Sequence, residues 1–128
     1  MSEQTLAQRR AADALGKVHK LQAEGQYGKY VSYVKGLPAT ILANGLGQAA
    51  ATLLSAANGS RDDPNHVLYE HLSSWLCRDD GDAPYDSGDL LEAITQNDED
   101  HYIRAQAEAL AYLEWLKRFA AALLEESA

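Results

Sequence analysis

The chain has 128 residues, of which 46% are hydrophobic and 23% are charged. These proportions are typical of one globular domain and exclude a largely disordered chain. The formal net charge of −8 excludes a uniformly basic nucleic-acid coat protein. A single cysteine, Cys77, excludes a scaffold held by internal disulfides. The first residues lack the apolar stretch of a signal peptide, so we expect a cytoplasmic protein.

The charge is distributed unevenly along the chain. Residues 1–35 carry a net charge of +3, residues 36–61 add +1, and residues 62–128 carry −12. Such a chain could present one face to a polyanion and another to a basic protein, but the charge pattern alone favours the simpler explanation that its solvated faces differ. No charged residue occurs from Gly36 to Ser60. Polar residues and glycines interrupt this stretch, which therefore predicts a buried helix and not a membrane span.

Helical periodicity dominates the first half of the chain, and no strand pattern occurs. The expected first helix is Thr5–Glu24, with Gly25 as its C-terminal cap. A short helix or turn should occupy Tyr27–Lys35, with Gly36 ending it, and a third helix should occupy Pro38–Ala57. The apolar face predicted for the third helix consists of Leu42, Leu46, Ala49, Ala50 and Leu53.

Two glycines inside the predicted third helix, Gly45 and Gly47, each cost up to about 1 kcal/mol relative to alanine. They either allow another backbone to approach closely or mark a kink. Asn44, Gln48 and Ser55 form a polar column on the side opposite the apolar face.

Three further helices complete the prediction. Loops rich in glycine, proline and aspartate separate them, and acidic or hydroxyl side chains stand at their expected N-termini. The expected bounds are Pro64–Arg78, Asp86 or Ser87 to Gln96, and Asn97 or Asp98 to about Glu125.

The last helix is apolar around more than half of its circumference, and Trp115 widens the apolar arc at one edge. Either this helix is the central one of the bundle, or it packs against a second protein as well. The whole chain, residues 1–128, is thus expected to form one all-α domain, a bundle of five to six helices with a long C-terminal helix.

Catalytic and metal-binding patterns are weak. His66 and His71 are five residues apart on one predicted helix, and their side chains diverge by about 140°. The acidic run at residues 98–101 lacks the residue order of a calcium loop and is better explained by helix capping. Cys77 has no histidine spaced to activate it. Motifs for nucleotide binding or hydrolysis are absent. We therefore expect no metal, no cofactor and no catalytic residue.

Three segments carry a family resemblance. Residues 33–48 read YVKGLPATILANGLGQ, residues 68–76 read LYEHLSSWL, and residues 108–119 read EALAYLEWLKRF. In this order and in a chain of this length, they resemble the small helical subunit of the type III-B CRISPR (Cmr) effector complex, the fifth Cmr subunit. The resemblance spans Thr5 to Leu124.

The resemblance implies a role in an RNA-guided ribonucleoprotein that destroys foreign RNA. Small subunits of this family stack as a filament beside the backbone subunits and line the channel that holds the crRNA and the target RNA. Expected partners are therefore the large polymerase-like subunit, the backbone subunits, neighbouring small subunits and both RNAs. The family subunit has no nuclease activity.

Basic side chains are the natural contacts to RNA phosphates. The first helix supplies four on one side, and the two long motifs supply three that match the family pattern. The predicted RNA-contacting residues are Arg9, Arg10, Lys17, Lys20, Lys35, Lys117 and Arg118. The predicted subunit-packing residues are Asn44, Gly45, Gly47, Gln48 and Trp115.

Two alternatives stay open beside this interpretation. Lys117 and Arg118 could instead flank a core helix and extend their charged ends to solvent. The whole chain could instead be a protein–protein adaptor whose basic residues never touch RNA. A helical hydrolase is a distant third interpretation.

Overall fold

The computed structural model describes residues 3–25 and 27–124. These residues form six α-helices and no strand, which confirms the predicted all-α bundle. The helices are α1 (Leu6–Glu24), α2 (Tyr30–Asn44), α3 (Leu46–Ala57), α4 (Pro64–Leu76), α5 (Leu90–Gln96) and α6 (Glu99–Leu123).

Helix α1 has the ends that the sequence predicts. The Thr5 hydroxyl accepts a hydrogen bond from the Gln8 amide, and the Gln8 side chain accepts one from the Thr5 amide. This reciprocal pair satisfies amides that the first turn leaves free. Gly25 ends the helix with φ = 69°, a left-handed conformation that favours glycine.

The predicted boundary between the second and third helices is wrong. Helix α2 continues through Gly36 and Pro38, because Val34, Leu37 and Ile41 extend one buried face across both. Burial of that face outweighs the local costs of glycine and proline in a helix, about 1 and 3 kcal/mol. The chain bends instead at Gly45, as the kink alternative proposed.

The predicted apolar face of the third helix also needs one correction. Leu46, Ala49, Ala50 and Leu53 are buried as expected, whereas Leu42 is 71% exposed. The reason is the bend at Gly45: Leu42 lies on α2, so it does not continue the helical register of α3.

Helices α4 and α5 deviate from the prediction only at their ends. Helix α4 ends at Leu76, two residues early, and buries Leu68, Leu72, Trp75 and Leu76. Helix α5 is capped by Asp89 and not by Asp86 or Ser87. The Asp89 carboxylate accepts hydrogen bonds from the Glu92 amide and from the Tyr69 hydroxyl of α4, so a tertiary contact selects the cap.

Helix α6 is the central helix of the bundle. It packs against α1, α2, α3 and α4 and buries Ala105, Ala109, Tyr112, Leu113, Leu116 and Ala120. Its wide apolar arc is therefore largely covered by the chain itself, as the central-helix interpretation predicted. Asp98 caps its first turn, and the predicted end near Glu125 lies outside the described residues. No helix in the described part of the chain has the length and apolar character that crossing a bilayer requires.

Candidate nucleic-acid interface and subunit contacts

The seven predicted RNA-contacting residues differ in whether their charges are paired with other groups of the chain or exposed to solvent. Arg9 lies beside the loop between α4 and α5. Its Nη1 and Nη2 atoms lie 3.4 Å from Asp80 Oδ2 and 3.0 Å from Asp82 Oδ2. The Arg9 side chain is one-third exposed. This guanidinium therefore ties α1 to an acidic loop of the same chain.

Arg10 is more deeply engaged. Its Nε and Nη2 atoms donate to the two carboxylate oxygens of Glu108 on α6, at 2.6 and 2.8 Å. Trp75 Nε1 donates to the same carboxylate at 2.9 Å. Burial alone would raise the pKa of Glu108, but the hydrogen bonds from Arg10 and Trp75, together with nearby arginine charge, hold that pKa below its usual range. A forked pair of this kind, with both side chains at most one-fifth exposed, fixes α1 against α6.

Lys17 lies in a small network between the same helices. Its ammonium group pairs with Asp13 at 2.7 Å and donates to the Tyr112 hydroxyl and the His71 carbonyl, both at 2.9 Å. The Tyr112 hydroxyl donates to Asp13 at 2.6 Å. Burial lowers the pKa of Lys17, and the Asp13 carboxylate opposes that shift. The three ammonium protons of Lys17 thus have three acceptors within the chain.

Lys20 has a different environment. It is exposed and lines a cleft of about 390 Å³ between α1 and α4, together with Arg61 and His66. Among residues 3–25 and 27–124, neither Lys20 nor Arg61 has an ion-pair partner. Glu24 and Glu70 also line the cleft. The cleft therefore has mixed charge, with two cationic side chains available to a ligand.

His71 lies at the inner end of this cleft. Its Nδ1 atom is 2.7 Å from the Tyr30 hydroxyl. Burial, and then the charge of Lys17, lower the pKa of His71 to about 4. At neutral pH the ring is uncharged and adds no positive charge to the cleft.

Of the remaining candidate cations, Lys35 and Arg118 are exposed, whereas Lys117 is partly buried. Lys35 is an exposed residue of α2. Lys117 and Arg118 both pair with Glu114 of their own helix, at 3.1 and 3.5 Å. The Arg118 side chain is 72% exposed, so the pair leaves most of its guanidinium in water. An exposed pair such as Arg118–Glu114 contributes little to stability, which leaves the Arg118 guanidinium able to exchange partners.

Sequence reasoning did not single out Arg61 or Arg78. Arg61 lies in a loop, and nothing in its sequence neighbourhood indicated that α1 would lie beside it. The Arg78 guanidinium stacks over the Trp75 ring at 3.7 Å and pairs with Asp80 at 2.6 Å. Trp75 lies three residues before Arg78, a spacing that could have indicated the stacking, whereas nothing in the sequence indicated the pairing with Asp80 in the following loop.

Gly45 and Gly47 make close contacts within the chain. A Cβ added at Gly45 would lie 3.0 Å from the Tyr102 hydroxyl. That hydroxyl accepts from the Gly47 amide at 3.0 Å, and the Gln106 side chain accepts from the Leu46 amide at 2.9 Å. Two side chains of α6 therefore cap the N-terminus of α3. The close approach expected of these glycines is thus explained without a second subunit.

The other predicted packing residues are Asn44, Gln48 and Trp115. Asn44 and Gln48 are exposed, and Trp115 is partly buried, with its ring 5.8 Å from that of Phe119. The two amide side chains are free to meet another protein surface. Trp115 already has a partner ring on its own helix.

The geometry around the candidate catalytic and metal-binding side chains does not favour either role. Cys77 is buried, and burial raises the pKa of its thiol to about 11, so the reactive thiolate is disfavoured. His66 lies 3.8 Å from Glu70, its neighbour one turn away. Within the described residues, no three histidine, cysteine or carboxylate side chains are grouped as a metal site requires.

The three segments that carry the resemblance now have places in the fold. The first forms α2 and the start of α3, the second lies in α4, and the third lies in α6. A family model described as CRISPR-associated protein (Cas_Cmr5) matches residues 6–123.

The chain belongs to the Cmr5 family of CRISPR-associated proteins. The match starts at the first residue of α1 and ends at the last residue of α6, so it covers the complete bundle. It confirms the resemblance on which the sequence-based interpretation rests. The structure adds that Arg9, Arg10 and Lys17 tie this Cmr5-family bundle together, whereas Lys20, Lys35 and Arg118 are exposed and Lys117 is partly buried.

Proposed function

We propose that this chain is a non-catalytic subunit of a type III-B Cmr ribonucleoprotein in the cytoplasm, where it supports defence against foreign RNA. It stacks beside neighbouring small subunits and lines the channel that holds the crRNA and the target RNA. The observation that carries the proposal is the family match over residues 6–123. Its other partners are the large polymerase-like subunit and the backbone subunits.

The RNA contact is assigned to cations that lie at or near the surface. Lys20 and Arg61 at the α1–α4 cleft, with Lys35, Lys117 and Arg118, supply positive charge for phosphates. Arg9, Arg10 and Lys17 support this surface indirectly by holding α1 in place. With a net charge of −8, the isolated chain should bind RNA weakly and lose it readily in salt.

The proposal is tested in the assembled complex with paired charge reversals. Lys20→Glu combined with Arg118→Glu should weaken RNA retention and target cleavage. It should also reduce the slope of log K against log salt by about two, since two phosphate contacts are lost. The control combines Lys29→Glu with Arg104→Glu, which removes one exposed lysine and one exposed arginine outside the proposed contacts.

The two double variants carry the same change in net charge. A difference in RNA retention between them would therefore be caused by the positions of the reversed charges and not by the total charge. Unchanged RNA retention and cleavage in the Lys20/Arg118 variant, with assembly intact, would refute the RNA-contact proposal. Failure of the wild-type chain to join any RNA-containing complex would refute the subunit role itself.

A second candidate function is a helical adaptor that binds only proteins. It is favoured by the engagement of Arg9, Arg10 and Lys17 within the chain, which removes three of the seven predicted RNA contacts. The same experiment separates the two candidates, because the adaptor predicts normal RNA retention after both double reversals.

A further inference from the structure

The inner end of the cleft between α1 and α4 is formed by His71, whose two ring nitrogens have different surroundings. Nδ1 lies 2.7 Å from the Tyr30 hydroxyl, whereas Nε2 has no hydrogen-bond partner among the described residues. In that part of the chain, the buried side-chain polar atoms without a partner are Arg78 Nη2 and the Tyr85 hydroxyl. Nε2 is neither of these, so it is open to solvent. Because His71 lines the cleft, Nε2 can be reached by a ligand there.

The Tyr30 hydroxyl decides which nitrogen of His71 carries the proton. Tyr30 is 1% exposed, and its hydroxyl has one polar contact among the described residues, with Nδ1 of His71. A buried hydroxyl without an acceptor costs about 1–3 kcal/mol, so this hydroxyl donates to Nδ1. A neutral imidazole that accepts at Nδ1 carries its proton on Nε2. His71 therefore holds an uncharged N–H donor at the inner end of the cleft.

Two cationic side chains, Lys20 and Arg61, line the same cleft. Both are exposed, and neither has an ion-pair partner among the described residues. Burial and the charge of Lys17 lower the pKa of His71 most, and the charge of Lys20 adds to them, so Lys20 lies near the ring. Phosphate oxygens accept hydrogen bonds from all three kinds of donor. The cleft thus offers two cations and one fixed N–H to a single phosphate group.

The cleft also contains two carboxylates, which a phosphate alone would not need. Glu24 is exposed, and the Glu70 side chain is 58% exposed. A carboxylate repels phosphate but accepts hydrogen bonds from hydroxyl groups. A ribonucleotide carries both complementary groups, a phosphate that accepts and a 2′-hydroxyl that donates. The cleft volume of about 390 Å³ lies within the usual range for small-ligand sites, about 300–1,000 Å³.

We propose that the α1–α4 cleft holds one ribonucleotide unit of RNA. The phosphate accepts hydrogen bonds from Lys20, Arg61 and the Nε2–H of His71, and the 2′-hydroxyl donates to a carboxylate of the cleft. This inference rests on the proposed function and adds to it an uncharged donor and a preference for ribose over deoxyribose. A free ribonucleoside monophosphate has the same chemistry, so the test includes it as a separate probe.

The first experiment compares the binding of a short RNA and of the DNA of the same sequence to the full chain at low salt, where phosphate contacts are strongest. The wild type should bind the RNA about threefold more tightly or better. Glu24→Ala combined with Glu70→Ala should bring the ratio of the two affinities close to one. The control, Glu92→Ala combined with Glu99→Ala, makes the same change in net charge outside the cleft and should preserve the ratio.

The phosphate contact is tested with Arg61→Gln, a change in an exposed loop position. It should weaken RNA binding about fivefold and reduce the slope of log K against log salt by about one, since one phosphate contact is lost. Arg104→Gln is the matched control, because it removes an exposed arginine that does not line the cleft.

Nitrogen NMR of the histidine-labelled chain tests the contact to His71. In the free chain, the proton should be on Nε2 and not on Nδ1. Addition of RNA should shift the Nε2 resonance of His71, whereas the ring resonances of His101, which lies outside the cleft, should stay in place.

Equal affinity for RNA and DNA, equal weakening by Arg61→Gln and Arg104→Gln, or an unmoved Nε2 resonance would each overturn the cleft proposal. Tighter binding of adenosine 5′-monophosphate than of RNA would also overturn it, because the ligand would then be a free nucleotide. The proposed function has its own test in the assembled complex. Loss of RNA retention there, together with equal affinity of the free chain for RNA and DNA, would preserve the RNA contact and reject the ribonucleotide site.

Discussion

The polar junction between α1, α4 and α6 and the neutral junction between α2, α3 and α6 use opposite means to fix helices on the same central helix. In the first, Arg10, Glu108 and Trp75 form a partly buried, charged hydrogen-bond cluster. In the second, the neutral side chains of Tyr102 and Gln106 accept hydrogen bonds from backbone amides.

Some basic side chains of this chain form ion pairs that hold helices together, and others are exposed. Their positions in the sequence do not fully reveal which is which. The four basic residues of α1 share one side of its helical wheel, yet Arg10 pairs with Glu108 of α6 and Lys17 pairs with Asp13 of its own helix, whereas Lys20 is exposed. The uncharged segment from Gly36 to Ser60, in contrast, was predicted to be a buried helix, but one side of it is exposed.

The largest expected effect is at the polar junction. Glu108→Ala should lower the free energy of unfolding by about 3 kcal/mol, because it leaves Arg10 and Trp75 Nε1 without their acceptor. Glu114→Ala on the same helix is the control. It removes only half-exposed pairs and should change stability by less than about 0.5 kcal/mol. Urea unfolding measures both, and equal losses would show that the junction contributes no more than the surface pairs.

A pH titration sharpens the comparison, because His71 at the polar junction must stay uncharged. Its pKa of about 4 in the folded chain lies below the ordinary value of 6.5. Between these values the unfolded chain binds the proton more readily, so stability falls as pH decreases from 6.5 to 4. The loss from this group is about 2–3 kcal/mol.

The measurement compares urea unfolding at several pH values in the wild type, His71→Gln and His19→Gln. The His71 variant should lose this part of the pH dependence. The His19 variant should keep it, since His19 is exposed. If the wild type and the His71 variant follow parallel curves, burial of the neutral ring does not contribute to the acid instability.

The smallest effects test the neutral junction through its glycines. Gly45→Ala should cost about 2 kcal/mol, since φ = 87° strains any other residue and the new Cβ would meet the Tyr102 hydroxyl. Gly36→Ala should instead stabilise the chain by up to about 1 kcal/mol, because Gly36 lies inside α2 with open space beside it. Thermal or urea unfolding gives both values. The two substitutions should change the free energy of unfolding in opposite directions. A destabilised Gly36→Ala variant would instead indicate that the helix breaks at Gly36.

Much of the fold was predictable, because local signals and tertiary packing agree over most of the chain. The capping pair at Thr5, the left-handed Gly25 and the acidic start of α6 are local features that a sequence displays directly. The boundary at Gly36 was mistaken because proline and glycine signals outweighed the continuous buried face that only packing against α6 makes visible.

The candidate site was less predictable than the fold. Residue type identified every cation, but the partners that neutralise Arg9 and Arg10 lie 71 to 98 positions away in the chain. Arg61 joins Lys20 only because α1 and the loop before α4 meet at one cleft. Such long-range neighbours leave no periodic signal in one sequence.

By itself, the sequence determined that this protein is one all-α domain and, through three segments, that it resembles the Cmr5 family. Helical period, caps and motif order are properties of neighbouring residues, so they are readable without coordinates. Only the tertiary structure decided which cations are available and which surface is uncharged. Those properties depend on which helices meet around α6, and burial then decides whether a charge is held inside the chain or faces water.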